Sequence, residues 1–279
     1  MRRSMENREL AIKANEIRKG IIEEVYSGQS GHPGGALSCA ELFAFLFEEE
    51  MHINLDDLQD PDRDRFVLSK GHACAGLYAA MAVHGYFPME ELKTFRKLGT
   101  RLQGHPSMHY LPGIDMSSGS LGQGISAAVG IAMGAKLQNK DYRTYTLLGD
   151  GEIQEGQVWE ASMFAGARHL DNLVVIVDNN DLQIDGSIKD ISSPYPIDKK
   201  FEAFNFHVMT VDGHSFDELR AAFQEAKQTK GMPSAIILKT TKGKGVSFME
   251  DQVGWHGKAP NEEQYKIAMA DLERIGEAL

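Results

Sequence analysis

Cysteine is scarce in this sequence, which has only Cys39 and Cys74 among its 279 residues. The two do not form a CxxC pair, so zinc-ribbon and thioredoxin-type sites are excluded. So few cysteines also argue against a disulfide scaffold and are typical of a reducing compartment. We therefore expect a cytoplasmic protein.

Long apolar runs are missing as well. The segment from Met1 to Gly20 mixes charged and scattered apolar residues and lacks the apolar core of a secretory signal. The dense apolar run from Leu42 to Phe47 is far shorter than the roughly 20 residues that cross a bilayer. The pattern predicts neither a secretory signal nor a membrane span.

Positive charge is in deficit, with 29 basic against 40 acidic residues and a net charge of −11. A general binder of nucleic acid or of anionic membranes needs the opposite balance. Hydrophobic residues make up 42% and charged residues 25%, which is ordinary globular composition and disfavours disorder and coiled coil. Glycine is plentiful, with 28 residues, which indicates tight turns or close approach of the backbone to a ligand.

The second half of the chain alternates regularly between strand-like and helix-like segments. Strands are predicted at Thr144–Leu148, Leu173–Asp178, His207–Val211 and Ala235–Lys239. Helices are predicted at about 122–137, 155–169, 198–204 and 215–228, with another after Pro260. Such alternation predicts an α/β fold in which a doubly wound, mostly parallel sheet is flanked by helices. No repeat or break in composition marks a linker, so we expect a single domain over residues 1–279.

The first half is less regular. Apolar spacing predicts a helix over 6–26 that Gly28 stops, then a glycine-rich loop over 28–35. A second helix is predicted near Ser38, with Glu41 completing a capping box. A short buried strand over 65–69, an alanine-rich helix to about residue 84 and a long loop over 98–120 follow.

Polar residues follow two consecutive predicted strands. Asp150 lies in Gly149-Asp150-Gly151 after the first, and Asn180 follows the second. If these strands are neighbours in a parallel sheet, both residues lie at the same edge, where ligands bind. A carboxylate and an amide oxygen suit Mg²⁺ or Ca²⁺, and the glycines let backbone amides approach an anion. The pattern predicts a site for Mg²⁺ and a phosphate-containing ligand; the alternative is a simple turn at each position.

Several histidines stand beside glycine in predicted loops: His32, His72, His105 and His256. Loop histidines on a rigid scaffold can bind hydroxyls and phosphates and move protons near neutral pH. Taken singly, each histidine is more simply interpreted as a surface turn residue. If all four lie near one edge of the sheet, they form a site for a polyhydroxylated substrate. His84 and His214 are interpreted as turn residues. Lys242 and Lys244 lie near the predicted edge of the site, where they could meet phosphate, but they are more simply interpreted as members of a solvated loop.

Together these motifs resemble the amino-terminal part of a transketolase, a member of the thiamin-diphosphate enzyme superfamily. They occur in the family order from residue 30 to residue 257: Ser30-Gly31-His32-Pro33-Gly34, Lys70-Gly71-His72, Gly104-His105-Pro106, Ser118-Gly119-Ser120-Leu121-Gly122-Gln123-Gly124, Gly149-Asp150-Gly151-Glu152-Ile153-Gln154-Glu155-Gly156 and Trp255-His256-Gly257. Ser120 stands where many full-length transketolases have Pro.

The resemblance implies particular roles for these residues. It assigns Mg²⁺, for which Ca²⁺ or Mn²⁺ can substitute, to Asp150, Asn180 and the backbone carbonyl of Leu182, where the family usually has Ile. It assigns thiamin diphosphate to His72, Gly119, Leu121, Asp150, Gly151, Glu155 and Asn180. It assigns sugar binding and proton transfer to His32, His105 and His256, and places His72 near the reactive carbon of the cofactor.

The resemblance also implies a partner. The family's pyrimidine-binding domain, which carries the glutamate that activates the cofactor, and its carboxyl-terminal domain have no match in this sequence. We therefore expect a separately encoded carboxyl-terminal subunit, with two copies of each chain. The implied reaction, typical of the pentose phosphate pathway, transfers a two-carbon glycolaldehyde unit from a ketose phosphate to an aldose phosphate.

Three alternatives remain. The first is a related enzyme chain, such as deoxyxylulose-phosphate synthase or a 2-oxoacid dehydrogenase subunit; the histidines and Gln154-Glu155-Gly156 argue against it. The second is a split transketolase that acts on an unusual sugar phosphate. The third is a non-catalytic thiamin-diphosphate-binding module, which the sugar-binding histidines disfavour.

Overall fold

A computed structural model describes residues 4–279. Seven strands are present over these residues: β1 (Arg65–Leu68), β2 (Thr144–Gly149), β3 (Leu173–Asn179), β4 (Leu182–Gln183), β5 (Gly186–Ser187), β6 (His207–Asp212) and β7 (Ser234–Lys239). The described α-helices are α1 (Asn7–Gly28), α2 (Pro33–Leu37), α3 (Ala40–Phe45), α4 (Cys74–His84), α5 (Gln123–Leu137), α6 (Gly156–Ala167), α7 (Ile188–Ser192), α8 (Ile197–Ala203), α9 (Phe216–Gln228) and α10 (Glu262–Ala278).

Five strands form one parallel sheet in the order β1-β2-β3-β7-β6, and β4 and β5 form a separate antiparallel hairpin. The order confirms that β2 and β3 are neighbours, with Gly149 level with Asp178. It also differs from the sequence order, because β7 lies between β3 and β6. The segment that follows β7 is therefore brought beside the end of β3.

Helices cover both faces of the sheet, as the alternation predicts. Along β3, Val174 and Ile176 belong to one apolar core, whereas Val175 and Val177 belong to the other. The first core is filled from α1, α3, α4 and α9, and the second from α5, α6 and α8. A strand buried on both faces needs apolar residues at every position, which explains its continuous run of Val and Ile.

One sequence prediction about the first half is wrong. The capping box at Ser38 and Glu41 does not form, because α2 already begins at Pro33 and α3 begins at Ala40. The Glu41 carboxylate instead accepts hydrogen bonds from Arg18, 23 residues away, and pairs with His214, 173 residues away. Within residues 4–279, none of the helices combines the length and apolar character that crossing a bilayer requires.

Candidate active site

A cavity of about 380 Å³ opens at the carboxyl edge of the sheet, beyond the ends of β2, β3 and β7. This is the edge at which ligands bind in open α/β sheets. The cavity brings together most residues singled out in the sequence: His32, His72, Gly119, Leu121, Asp150, Gly151, Glu155, Asn180, Leu182 and His256. It also includes Lys70 and Glu152, for which no site role is predicted from the sequence, and Lys242, for which a phosphate contact is the less favoured of two sequence interpretations.

The Asp150 carboxylate is buried and held by the backbone around it. Oδ1 accepts the N–H of Gly151 at 2.8 Å, and Oδ2 accepts the N–H of Asp181 at 2.6 Å and the amide of Asn179 at 3.1 Å. Burial, followed by the negative charge of Asp178, raises the pKa of Asp150 to about 6. A carboxylate so placed gains from a nearby cation.

The Asn180 side chain is oriented by Asp178, at the floor of the cavity. Asn180 Nδ2 donates to Asp178 Oδ2 at 2.9 Å, and its Oδ1 accepts the N–H of Leu182 at 3.2 Å. The same Asp178 oxygen accepts from Lys70 Nζ at 2.5 Å, in a pair that is almost wholly buried. Burial opposes the charge of Asp178, but Lys70 outweighs it and lowers the Asp178 pKa. A charged, fully bonded carboxylate therefore fixes the amide of Asn180.

The oxygens at this edge suit a hard divalent cation. Asp150 and Asn180 line the cavity with Leu182, whose carbonyl also lies on its wall and accepts a hydrogen bond from Lys242 Nζ at 3.2 Å. Among residues 4–279, no group of three or more His, Cys, Asp or Glu could hold a metal ion. One carboxylate, one amide and one carbonyl leave positions open for phosphate oxygens and water, as Mg²⁺ prefers. The donor set thus fits Mg²⁺ bound together with a diphosphate.

Three histidines cluster in the same cavity. The ring centroids of His32, His72 and His256 lie 5.2–5.6 Å apart. Burial, and after it the neighbouring cations, lowers the pKa of His32 to about 4 and that of His256 to about 3. The pKa of His72 also falls well below its ordinary value, chiefly through burial. All three are neutral near pH 7 and can each donate and accept a hydrogen bond.

Neighbouring cations fix which ring nitrogen carries the proton in two of them. Arg96 approaches His32 Nδ1 at 3.5 Å, and Lys242 Nζ lies 2.9 Å from His256 Nδ1. Since both cations only donate, each Nδ1 accepts and Nε2 carries the hydrogen. His32 and His256 therefore hold their remaining N–H donors at Nε2.

His105 lies outside the group that lines the cavity and is exposed beside Gly119. It is close enough to His32 and His72 to lower their pKa values. Gly119 has a φ of +148°, and a Cβ there would lie 3.1 Å from the His105 ring. Glycine at this position thus permits the loop to pass between the imidazole and the cavity.

Glu152 fastens two walls of the cavity together, a role that the sequence did not reveal. Its carboxylate accepts the N–H of Gly122 at 2.9 Å, the N–H of Gly149 at 3.0 Å and the Ser69 hydroxyl. These bonds join the loop that carries Gly119 and Leu121 to the end of β2. Only its position two residues after Asp150 could have pointed to it.

The interpretation of Lys242 as a solvated loop residue is wrong. Lys242 is 1% exposed and lines the cavity, between Leu182 and His256. Burial, followed by the positive charge of Lys70, lowers its pKa to about 8. Lys244, by contrast, keeps an exposed side chain that pairs with Glu250 at 3.7 Å. Glu155 lies exposed at the rim of the cavity, and Gly151 lies on its wall.

The histidines interpreted as turn residues have specific partners. His84 Nδ1 lies 3.2 Å from a Glu48 carboxylate oxygen. His214 Nδ1 lies 3.0 Å from a Glu41 oxygen, and its Nε2 accepts the N–H of Thr241 at 2.9 Å. Neither lines the cavity.

Comparison with known proteins decides the family. The model of the transketolase thiamine diphosphate binding domain matches residues 10–272. This chain belongs to the transketolase family. The match confirms the resemblance seen in the motifs and shows that a thiamin-diphosphate-binding domain spans nearly the whole chain.

Relatives named as transketolase subunits match almost from end to end. The 6-deoxy-6-sulfo-D-fructose transketolase subunit of Clostridium sp. (strain MSTE9) is 47% identical over 268 residues, which cover 96% of this chain and 98% of the relative. One subunit of the apulose-4-phosphate transketolase of Phocaeicola vulgatus is 39% identical over 267 residues, which cover 95% of each chain. These names imply that each of these relatives works with a separate partner subunit.

A solved transketolase shows the same fold within a longer chain. The transketolase of Campylobacter jejuni superposes with a TM-score of 0.90 at 35% identity, covering 96% of this chain and 43% of that chain. The α/β fold, and the prediction of a transketolase subunit rather than another thiamin-diphosphate enzyme, are confirmed.

Proposed function

We propose that this chain is the amino-terminal, cofactor-binding subunit of a two-chain transketolase that moves a two-carbon glycolaldehyde unit from a ketose phosphate to an aldose phosphate. The observation that carries the proposal is one cavity that is lined both by hard oxygen donors and by three clustered neutral histidines. The first set suits a metal diphosphate, and the second suits a polyhydroxylated sugar.

In this proposal, Asp150, Asn180 and the Leu182 carbonyl hold Mg²⁺, or Ca²⁺ or Mn²⁺ in its place. Gly119, Leu121, Gly151, Glu155 and His72 surround the thiamin diphosphate. The bound cofactor supplies the electron sink for cleavage of the carbon–carbon bond. Lys242 adds a cation on the wall of the same cavity, which suits the negative charge of a diphosphate.

The histidines orient the sugar and move protons. With Nδ1 accepting from a cation, His32 and His256 each offer an Nε2–H to a substrate hydroxyl. In this proposal His105, which is exposed beside Gly119 and outside the group that lines the cavity, also binds a sugar hydroxyl. Their low pKa values keep His32 and His256 neutral near pH 7, so each presents an N–H donor rather than a positive charge to the sugar. The proton-transfer role that the resemblance implies stays a prediction.

The partner subunit completes the site. Two apolar residues of the cavity are exposed in this chain, Leu121 at 36% and Ile184 at 62%, and Glu155 beside them is exposed as well. An open apolar wall next to a polar site suits burial by another chain. We infer that the partner carries the pyrimidine-binding and carboxyl-terminal domains and that two copies of each chain assemble. The cytoplasmic location stays a prediction.

The sugar itself has two candidates. Ordinary pentose phosphates are the first. An unusual sugar is the second, since relatives of similar length are named for 6-deoxy-6-sulfo-D-fructose and for apulose 4-phosphate. A non-catalytic cofactor-binding module is disfavoured, because a binder has no use for the sugar-binding histidines His32, His105 and His256.

The deciding experiment is a ketol-transfer assay with thiamin diphosphate and MgCl₂. This chain is assayed by itself and then with the carboxyl-terminal subunit encoded in a neighbouring reading frame. Donors are xylulose 5-phosphate and 6-deoxy-6-sulfofructose, with ribose 5-phosphate and glyceraldehyde 3-phosphate as acceptors; apulose 4-phosphate is tested separately. Transfer only in the mixture supports the proposal, and the active donor identifies the sugar. No transfer from any sugar by a mixture that binds the cofactor would refute catalysis.

A further inference from the structure

A second polar cluster lies behind the cavity and holds the backbone on both sides of Lys242. On one side, the N–H of Thr241 donates to His214 Nε2 at 2.9 Å. On the other, the carbonyl of Lys244 accepts from Arg18 Nε at 3.0 Å. Between these points the Lys242 side chain enters the cavity, with Nζ 2.9 Å from His256 Nδ1. These two bonds from outside the cavity therefore add to the backbone bonds that hold the segment, in which Gly243 N–H donates to the Gly34 carbonyl at 3.0 Å and the Lys242 carbonyl accepts from Asp251 N–H at 2.9 Å.

Glu41 joins the two holding residues. Both of its carboxylate oxygens lie 2.6 Å from Arg18 Nη2, and Oε2 lies 3.0 Å from His214 Nδ1. Burial opposes the charge on Glu41, but Arg18 and His214 outweigh it and lower its pKa to about 2. The carboxylate is therefore ionised at neutral pH and ties α1, α3 and the start of α9 to one point.

The hydrogen bonds to Thr241 and Glu41 determine which ring nitrogen of His214 carries the hydrogen. A backbone N–H can only donate, so Nε2 of His214 must carry a lone pair. Nδ1 then carries the hydrogen and donates it to Glu41. A neutral imidazole in this tautomer satisfies both neighbours, and a side chain without an acceptor at the Nε2 position would leave the Thr241 N–H without this bond.

We propose that His214 is a positioning residue for the cofactor site: it holds the Thr241 backbone so that Lys242 stays between Leu182 and His256. This inference rests on the proposed function only for its consequence, cofactor affinity. The hydrogen-bonded chain Arg18–Glu41–His214–Thr241 stands by itself.

The experiment compares His214→Phe, His214→Gln and wild type in the complex with the partner subunit. Phe retains a planar ring but cannot accept the Thr241 N–H. Gln offers an amide oxygen to Thr241 and an amide N–H to Glu41, and so can reproduce both bonds. His207→Phe is the matched control, because His207 is partly exposed on β6, pairs with Glu225 and lies outside the cavity.

Two quantities are measured: amide hydrogen exchange over residues 240–252, and thiamin diphosphate affinity by calorimetry with MgCl₂ present. We expect His214→Phe to speed exchange in this segment and to weaken affinity about tenfold, the effect of one lost hydrogen bond. We expect His214→Gln to retain most of the wild-type exchange protection and most of the affinity, and His207→Phe to leave both quantities unchanged.

Unchanged exchange and affinity in His214→Phe would overturn the proposal, as would equal losses in His214→Gln. Exchange is measured without cofactor and so tests His214 independently. A wild-type complex that binds no thiamin diphosphate would refute the proposed function, whereas faster exchange confined to 240–252 would still support the holding role.

Discussion

Two buried carboxyl groups lie in regions that differ in whether they supply hydrogen-bond donors to a negative charge. At the cavity floor, Asp178 accepts hydrogen bonds from Ser38, Lys70, Asn180 and Thr240. Glu24 of α1 is equally buried, yet neither of its oxygens has a hydrogen-bond partner anywhere in residues 4–279. Cys74 and Tyr78 of α4 lie close enough that a negative charge on Glu24 would raise their pKa values. Burial alone therefore does not decide whether a carboxyl group ionises readily.

The pKa values record the difference. The pKa of Asp178 is lowered because Lys70 and the hydroxyl donors outweigh burial, and that of Glu24 is raised well above its ordinary value by burial. At the cavity floor, Lys70 and the hydroxyl donors offset the cost of burying the Asp178 charge. The same carboxylate then fixes the orientation of Asn180. Beneath α1, burial favours the neutral form of the carboxyl, which fixes no neighbour by a hydrogen bond.

The largest expected effect comes from breaking the polar site itself. Asp150→Ala removes the only charged residue among the candidate metal ligands, so we expect loss of Mg²⁺-dependent thiamin diphosphate binding in the reconstituted complex. Calorimetry with and without MgCl₂ measures it. Asp150→Asn is the matched variant, since it keeps the shape and loses the charge. Binding as tight as in wild type in both variants would contradict the assignment.

The second prediction concerns the loss of the cation that pairs with Asp178. Lys70→Met leaves a buried carboxylate without its cation, so we expect unfolding free energy to fall by about 3–5 kcal/mol. The control is Lys140→Met, because Lys140 pairs with a largely exposed Asp62 and such pairs contribute about 0–1 kcal/mol. Urea unfolding measures both variants. Similar small losses would show that the floor pair contributes no more than a surface pair.

The strands and the shared edge of Asp150 and Asn180 can be predicted from the sequence because both depend on local patterns. Apolar runs define strands, and parallel strand ends meet at one edge. Gly149 lies level with Asp178, as that argument requires. The histidines in glycine-rich turns are found in the same way.

The roles of Lys242 and Glu41 cannot be predicted in this way, because they depend on strand order and on distant partners. β7 lies beside β3, which brings Thr240 to Asp178 and Lys242 to the cavity. The Ser38–Glu41 spacing predicts a local cap, but Arg18 and His214 offer the carboxylate a buried ion pair instead. Contacts between residues far apart in sequence leave no periodic signal.

The third prediction concerns the unpartnered carboxyl. We expect Glu24→Met to raise unfolding free energy by about 1–3 kcal/mol near pH 8, since it removes an unsatisfied buried group. The folded-state pKa of Glu24 lies above its unfolded value, so wild type is most stable below the unfolded pKa and loses stability as pH rises toward and through the folded pKa. The advantage of Glu24→Met therefore grows as the pH rises above the unfolded pKa of Glu, about 4.3, and is compared over a series from about pH 5 to about pH 8.

Urea unfolding across that range measures this third effect. Glu24→Gln, which cannot titrate, should lack the part of the pH slope that wild type owes to Glu24. An advantage of Glu24→Met that stays constant with pH would show that Glu24 has a partner in the folded protein.

The smallest effect compares two glycines in α5 with the same substitution. A Cβ on Gly130 would meet no atom within 4 Å, whereas one on Gly124 would lie 2.6 Å from the Ser69 Cα. We expect Gly130→Ala to stabilise the isolated chain by about 1 kcal/mol, the helix preference of Ala over Gly. We expect Gly124→Ala to destabilise it, because the β1 end that leads to Lys70 must move. Thermal unfolding of the two variants gives the signs directly. Opposite signs would show that position relative to the cavity floor, rather than residue type, sets the change in stability, as it sets the pKa shifts of Asp178 and Glu24. A gain in stability at both positions would mean that the cavity floor moves to accommodate a methyl group and is less rigid than its hydrogen bonds imply.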